Sequence, residues 1–446
     1  MTKMCRFLFF LGALLGLSGC PDTPCFGGGS TVAPPSQGGV ILVGEQVRLQ
    51  VSPTLNSGCG LEAEARPATL TVEVYGPDNQ LVESQATLGN PSSALATLKF
   101  TPDKPGRYHI FAAFDPIGGI HQFDLYAARD RSAEAIPYTL SKACNGLERT
   151  KRGGWLCDSE FVRDGTVVRR FSGNRVAVAG DVVWDVGTSQ VQRFVDTGTS
   201  LELTGTVSVS ASPADFLLAS ETELLALRGP TLDRILFDGT ALAVKGRAQL
   251  SSPLGTIGTT GLRAFLLRNG DRLAVVTNAP SGGTSQPFNT FTNQVCAYRI
   301  EPERIVRTTD PCPTFTGNVV GYEPSVVWVG TPHPFGAGLV DLRRLEWTAA
   351  TGIAEQASLP LGMNFEVLTL EFNMRNSVVP VIINPATGVN SRTRATIAVY
   401  APEQRAILLE LLDAEFTAPS ASTHLMWNPP TTGLQNSKVR VRPTTP

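Results

Sequence analysis

Charge is scarce in this chain of 446 residues: Asp, Glu, Lys and Arg make up 17% of it, against about 25% in ordinary soluble domains. Histidine occurs four times, at His109, His121, His333 and His424, so few side chains can act as a base near neutral pH. No C-x-x-C pair is present, the histidines are scattered, and neither a metal nor another cofactor is expected. G-x-S-x-G elbows, H-E-x-x-H helices, P-loops and EF-hand loops are missing, which weakens the case for an enzyme without removing it. No apolar run reaches the ~20 residues needed to cross a bilayer as a helix. With a formal net charge of −2 there is no electrostatic case for nucleic acid.

What is present begins at the first residues. Lys3 and Arg6 precede an apolar stretch from Phe7 to Leu17, and small residues follow, the order of a secretory signal. Leu17, Ser18, Gly19 and Cys20 spell LSGC, which resembles the bacterial lipobox. That resemblance implies cleavage after residue 19 and acylation at Cys20, making a palmitate-bearing lipoprotein held in the bacterial cell envelope. Several acyl chains exceed the marginal attachment of a single one, at about 0.8 kcal/mol per buried CH₂. The alternative is an ordinary secreted protein in which Cys20 enters a disulfide. Loss of Lys3 and Arg6 from the 37 basic residues, against 39 acidic ones, takes the net charge to about −4.

Six cysteines remain beyond Cys5 and Cys20: Cys25, Cys59, Cys144, Cys157, Cys296 and Cys312. An even number in an exported chain favours disulfides, although many connectivities are open. Proximity suggests Cys25 with Cys59, Cys144 with Cys157, and Cys296 with Cys312.

Residues 20 to 39 are rich in Gly, Pro, Ser and Thr and read as a lipidated tether. From Val40 the pattern changes to alternation of period two, in VRLQV, TLTVEVYG, ALATLKF, RYHIFAAF and HQFDLYA, separated by turn clusters such as GPDN and TPDKPG. That is the spacing of a small antiparallel sandwich over residues 40 to 130. The stretch FTPDKPGRYHI resembles the penultimate hairpin of bacterial immunoglobulin-like domains, which implies that Tyr108 packs on the corner.

A longer repeat fills residues 135 to 446. NRVAVAGDVVWDV, from Asn174, aligns with DFLLASETELLAL, from Asp215, 41 residues later, and each leads into a third strand, VQRFVD and LDRILFD. Looser copies begin at Asp271, Pro324, Ser377 and Ser422. A period of about 40 to 56 residues with three or four strands per unit is the mark of a β-propeller. The expected fold is therefore all-β: an immunoglobulin-like β-sandwich plus a six- or seven-bladed β-propeller. The last unit is short of outer strands, and Trp155 to Phe171 are expected to supply them. A row of further sandwiches is the rival reading.

Candidate site residues are few. His333, with prolines on both sides in GTPHPFGAG, and Phe335 mark a possible ligand loop. Residues 278 to 294 form a long polar insertion between two strands, a place where specificity often resides. Trp184, Trp328 and Trp427 recur on blade strands, where packing is the commoner role. The basic run Arg149 to Arg152 could meet an anion or be a solvated loop. The balance favours a non-catalytic binding or scaffolding module for an envelope protein or surface glycan. A propeller-based polysaccharide hydrolase or lyase is one alternative, and an outer-membrane assembly factor another, although the tryptophan-rich repeats of that family are not seen.

Overall fold

A computed structural model describes residues 26–33, 40–55, 68–89, 95–115, 120–134, 136–139, 147–173, 175–210, 212–252, 254, 257, 263–281, 290–332, 339–348, 350–360, 378–385, 392–415, 423–427 and 439–441. The fold is all-β. Its sheets are mainly antiparallel, and among the described residues none closes into a barrel. The chain divides into two compact units, Met1–Ala127 and Ala128–Pro446.

The first unit is a two-sheet sandwich. One sheet holds β1 (Phe26–Ala33), β3 (Val47–Leu55) and β6 (Ala96–Phe100); the other holds β2 (Val40–Leu42), β4 (Ala68–Tyr75), β5 (Leu81–Gly89), β7 (Gly106–Asp115) and β8 (Ile120–Asp130), whose last three residues belong to the second unit. Alternate residues point inward from both: Val47, Leu49 and Val51 from β3 meet Leu70, Val72 and Val74 from β4, all fully buried. Period-two alternation produces this arrangement because one face of each sheet is wet and the other dry. Tyr108 is buried, and its hydroxyl has Asp103 Oδ1 at 3.1 Å and Lys104 O at 3.2 Å as acceptors for its one hydrogen.

The tether expectation needs correction. β1 pairs with β3 along its whole length, from Phe26 against Leu55 to Ala33 against Arg48. Strand pairing uses backbone groups, and the open edge of β3 offers a row of them to a segment that carries little bulk. Flexible composition did not prevent the pairing.

The second unit is a series of sheets. After β9 (Ile136–Thr139) come five in chain order: β10–β13 (Leu147–Arg149, Trp155–Cys157, Glu160–Arg163, Thr166–Arg170); β14–β17 (Arg175–Ala179, Val182–Val186, Gln190–Asp196, Leu201–Ser208); β18–β21 (Phe216–Ala219, Glu223–Arg228, Thr231–Phe237, Leu242–Gln249); β22–β26 (Arg263–Asn269, Arg272–Ser281, Thr290–Ile300, Ile305–Arg307, Thr314–Thr316); and β27–β30 (Asn318–Tyr322, Val326–Pro332, Leu339–Thr348, Gly352–Pro360). The sixth combines β31–β33 (Val378–Pro385, Arg392–Ala401, Ala406–Glu415) with the end of β8, whose Arg129 and Asp130 run parallel to Glu410 and Leu411. The seventh joins β34 (Thr423–Trp427) and β35 (Val439–Val441) to β9.

The expectation that Trp155 to Phe171 complete the last unit is overturned. Those residues form the first sheet together with β10, and β9 pairs with β34 instead. β10 is only three residues long and carries no alternation that would announce it, which left its partners apparently free.

The second strands of the second and third sheets are covered on both faces. Val182–Val186 is buried at every position, as is Glu223–Arg228. Trp184, fully buried, donates its indole N–H to Ser220 O in the next sheet at 2.8 Å, and Trp328 donates to Glu323 Oε1 at 3.1 Å. Packing accounts for both rings.

Candidate functional site

The expected site residues divide between the described and the rest. Cys20, Cys25, Cys59, Cys144, His333 and Phe335 lie outside the described residues. Cys296 and Cys312 form a disulfide with Cα atoms 4.6 Å apart, and Cys157 is also disulfide-bonded. His109 Nδ1 lies 2.8 Å from Asp124 Oδ1 on the neighbouring strand, and His121 rests by the ring of Phe123 at 5.1 Å. Burial pushes the His121 pKa down, toward the neutral form. His424 lies on β34, and its side chain is outside the described residues. Among the described residues no group of His, Cys, Asp or Glu is arranged to hold a metal ion.

What the fold does bring together is a series of arginines. In the second, third and fifth sheets the ladder between third and fourth strands shifts by one residue directly after Arg193, Arg234 and Arg344. The residues opposite are small: Gly205, Gly246 and Ala357. A bulge bends and twists a strand locally and re-aims the side chain beside it. Here each arginine reaches the following sheet. Arg193 lies 4.0 Å over the ring of Phe237 and donates to Glu221 O at 3.0 Å. Arg234 donates to Glu301 O at 2.8 Å and Pro302 O at 3.0 Å. Arg344 lies 4.0 Å over Tyr400.

The first sheet makes the same joint with the roles exchanged. Its bulge follows Phe161, the arginine stands opposite as Arg169, and that guanidinium sits 4.1 Å over Phe194 of the second sheet. The fourth sheet departs from the pattern, with Ala297 where its neighbours carry arginine and the Cys296–Cys312 disulfide beside it.

Carboxylates complete the network. Glu223 receives Arg234 Nε at 2.6 Å and also pairs with Arg268 of the fourth sheet. Asp196, fully buried, accepts from Thr150 Oγ1 at 2.5 Å and pairs with Arg163. Glu410 accepts from Arg131 Nε at 3.2 Å, while Arg131 N–H binds Leu411 O at 2.8 Å. Burial pushes the Glu410 carboxyl up, with Arg131 and Arg129 pulling the other way. Burial likewise raises Glu323 against the pull of Arg344. These acids are engaged by partners that hold strands in place, a structural use of charge.

The basic run is also engaged. Lys151 pairs with Glu221 at 2.6 Å, Arg152 Nη1 donates to Thr197 O at 2.6 Å, and Arg149 lies 5.0 Å over Trp155. At Gly180 the backbone is left-handed (φ 62°), and any side chain there would collide with Glu221.

The polar insertion turns out to be ordered at its base. β23 (Arg272–Ser281) and β24 (Thr290–Ile300) continue as a ladder to Ser281 against Thr290, well past the length of the neighbouring hairpins. β26 pairs with this extension at Thr292–Gln294, Asn293 Nδ2 donates to Gly317 O at 2.8 Å, and Arg343 of the fifth sheet donates to Thr316 O at 2.6 Å. Asn293 is fully buried and Gln294 nearly so. Sequence reasoning found the insertion but not its bracing. It also passed over the arginines, although VQRFVD, LDRILFD and DLRRLEW each place arginine before an apolar residue.

No family model matches the chain, and no curated protein matches it. Among solved structures, the CARDB domain of a Pyrococcus furiosus protein is 18% identical over 23% of this chain and 85% of its own, with a TM-score of 0.17. A hypothetical selenium-binding protein from Sulfolobus tokodaii is 8% identical, covering 84% of this chain and 96% of its own at 0.32. Hsv2p from Kluyveromyces lactis is 8% identical, covering 62% and 100% at 0.28.

Proposed function

We propose that this chain is a cell-envelope lipoprotein, anchored through Cys20, in which an immunoglobulin-like sandwich precedes a seven-bladed β-propeller that binds another envelope protein or a surface glycan without catalysis. The lipobox LSGC supports the anchor. Seven successive sheets, the last shared by β9 and β34, support the propeller, because a ring closes when both ends of its chain meet in one blade. The observation that carries the binding role is the commitment of the buried charges: Arg193, Arg234 and Arg344 join sheet to sheet, which makes a rigid support. Rigid supports suit the presentation of loops.

The presented elements are connections between second and third strands. The β23–β24 hairpin and the loop from β28 to β29 that contains His333 and Phe335 occupy the same place in adjacent sheets. Both belong to the proposed binding face.

The test uses the register of the hairpin. Ala279 faces Thr292, so residues 280 to 291 can be replaced by an Asn-Gly turn that keeps the ladder from that pair downward and gives up the Gly317 N–H to Phe291 O bond of 2.9 Å. Cross-linking and affinity capture from membranes should recover a defined envelope protein or glycan with the natural chain. The shortened chain, still folded by circular dichroism, should lose it at least tenfold, and unchanged capture overturns the binding role of the hairpin. Cys20→Ala should abolish incorporation of labelled palmitate; persistent labelling overturns the anchor.

A further inference from the structure

Among the described residues β5 is the outermost strand of its sheet in the sandwich, paired on one side with β4. Leu81 is 53% exposed, Val82 39% and Leu88 75%, a concentration of apolar surface on a single edge. Open edges of this kind invite another strand, and natural proteins usually blunt them with several charges or a proline. Within Leu81–Gly89 the one charge is Glu83.

We infer that β5 pairs with β5 of a second copy of this chain, antiparallel about Gln85. Three observations fix that partner and register. Ser84 N–H donates to the Glu83 carboxylate at 3.1 Å, so it faces away from β4. The ladder with β4 shifts between Val74 and Tyr75 and leaves Val82 as a bulge with no residue opposite; beyond it outward groups alternate along the strand, and Ser84, Ala86 and Leu88 therefore offer their backbone to the edge. Pairing about Gln85 sets Ser84 against Ala86, both with outward groups, and brings Val82, at the bulge, beside Leu88. The exposed side chains of Val82 and Leu88 then cover each other across the seam, while Leu81 falls opposite Gly89. Glu83 falls opposite Thr87, so no like charges meet. The strand is thus complementary to itself in hydrogen bonding, apolar contact and charge.

A seam of one strand pair is small beside the ~1,200 Å² of standard interfaces. The association is expected to be weak in dilute solution and effective where chains are concentrated.

Gln85 would face its own copy in a non-hydrogen-bonded pair, with Cα atoms about 4.5 Å apart, a separation that suits a disulfide. Mild oxidation of cells expressing the full chain with Gln85→Cys should give a homodimer on non-reducing gels. Thr87→Cys alone should not, whereas co-expressed Glu83→Cys and Thr87→Cys chains of different size should form the mixed dimer. Adding Ser84→Pro to Gln85→Cys removes an outward N–H, leaves the bonds to β4 intact, and should reduce the dimer at least tenfold. Absence of both the Gln85→Cys homodimer and the mixed dimer of the Glu83→Cys and Thr87→Cys chains overturns the inference. So does equal cross-linking with Thr87→Cys alone, or capture of a different protein by the Gln85→Cys chain in place of the second copy.

Discussion

The two units use the same secondary structure and bury opposite things. All twelve buried polar or charged residues among those described, from Thr150 to Glu410, belong to the second unit, and the sandwich core of the first is apolar throughout. Geometry explains the difference. A sandwich has one inner face per sheet, so a strand can keep its polar residues outside. In the second unit strands such as β15 and β19 are buried on both faces, and a polar residue there needs a partner. Bringing charge inside costs desolvation, which only good geometry offsets. Arginine meets that demand well, because its planar group can stack on a ring and donate along its edge together.

Breaking this comparison at its strongest point means removing one carboxylate from the second unit. Glu223→Ala leaves Arg234 and Arg268 without their shared acceptor and should cost about 3–5 kcal/mol, read by urea denaturation. Leu49→Ala makes a cavity in the sandwich and should cost about 2–5 kcal/mol, with loss of hydrogen-exchange protection centred on β3 and β4. An Arg193→Lys exchange keeps the charge but loses the fork and the stacking on Phe237; about 1–2 kcal/mol is expected, whereas Arg48→Lys on the exposed side of β3 should be near neutral. The smallest effect is one of slope. Burial raises the Glu410 pKa in the folded state, so the folded form holds its proton more firmly than the unfolded one. Stability therefore falls as pH rises from the ordinary glutamate pKa through the raised folded value. Glu410→Gln should flatten the fall, and the variant should gain on the natural chain as pH increases; an unchanged slope refutes the assignment.

The same contrast decides what was legible in the sequence. Alternation revealed β3, β4, β6, β7 and β8 of the sandwich, because each has one dry face. It missed β5, in which no residue is fully buried and the dry face is marked only by Gln85, Thr87 and Gly89, none of them with an apolar side chain. In the second unit the 41-residue repeat aligned β14 and β15 with β18 and β19, whose buried second strands read as continuous apolar runs. β10 and β9 are three and four residues long, too short for any period to appear. The bulge arginines were visible as letters but not as joints, since a lone arginine on a strand ordinarily faces water. The Cys296–Cys312 pair was legible because sequence proximity and spatial proximity coincide across one hairpin.

The pairing of Ile136–Thr139 with Thr423–Met426 has a consequence in time. A ribosome adding 5–20 residues each second needs roughly 15 to 60 s to travel from one segment to the other. Throughout that interval the earlier segment exists as a strand whose mate has not been made. The seventh sheet is thus the last to assemble, and a chain interrupted anywhere before Thr423 leaves β9 permanently single. Such a fragment displays an orphan edge, a row of backbone groups open to pairing with another chain.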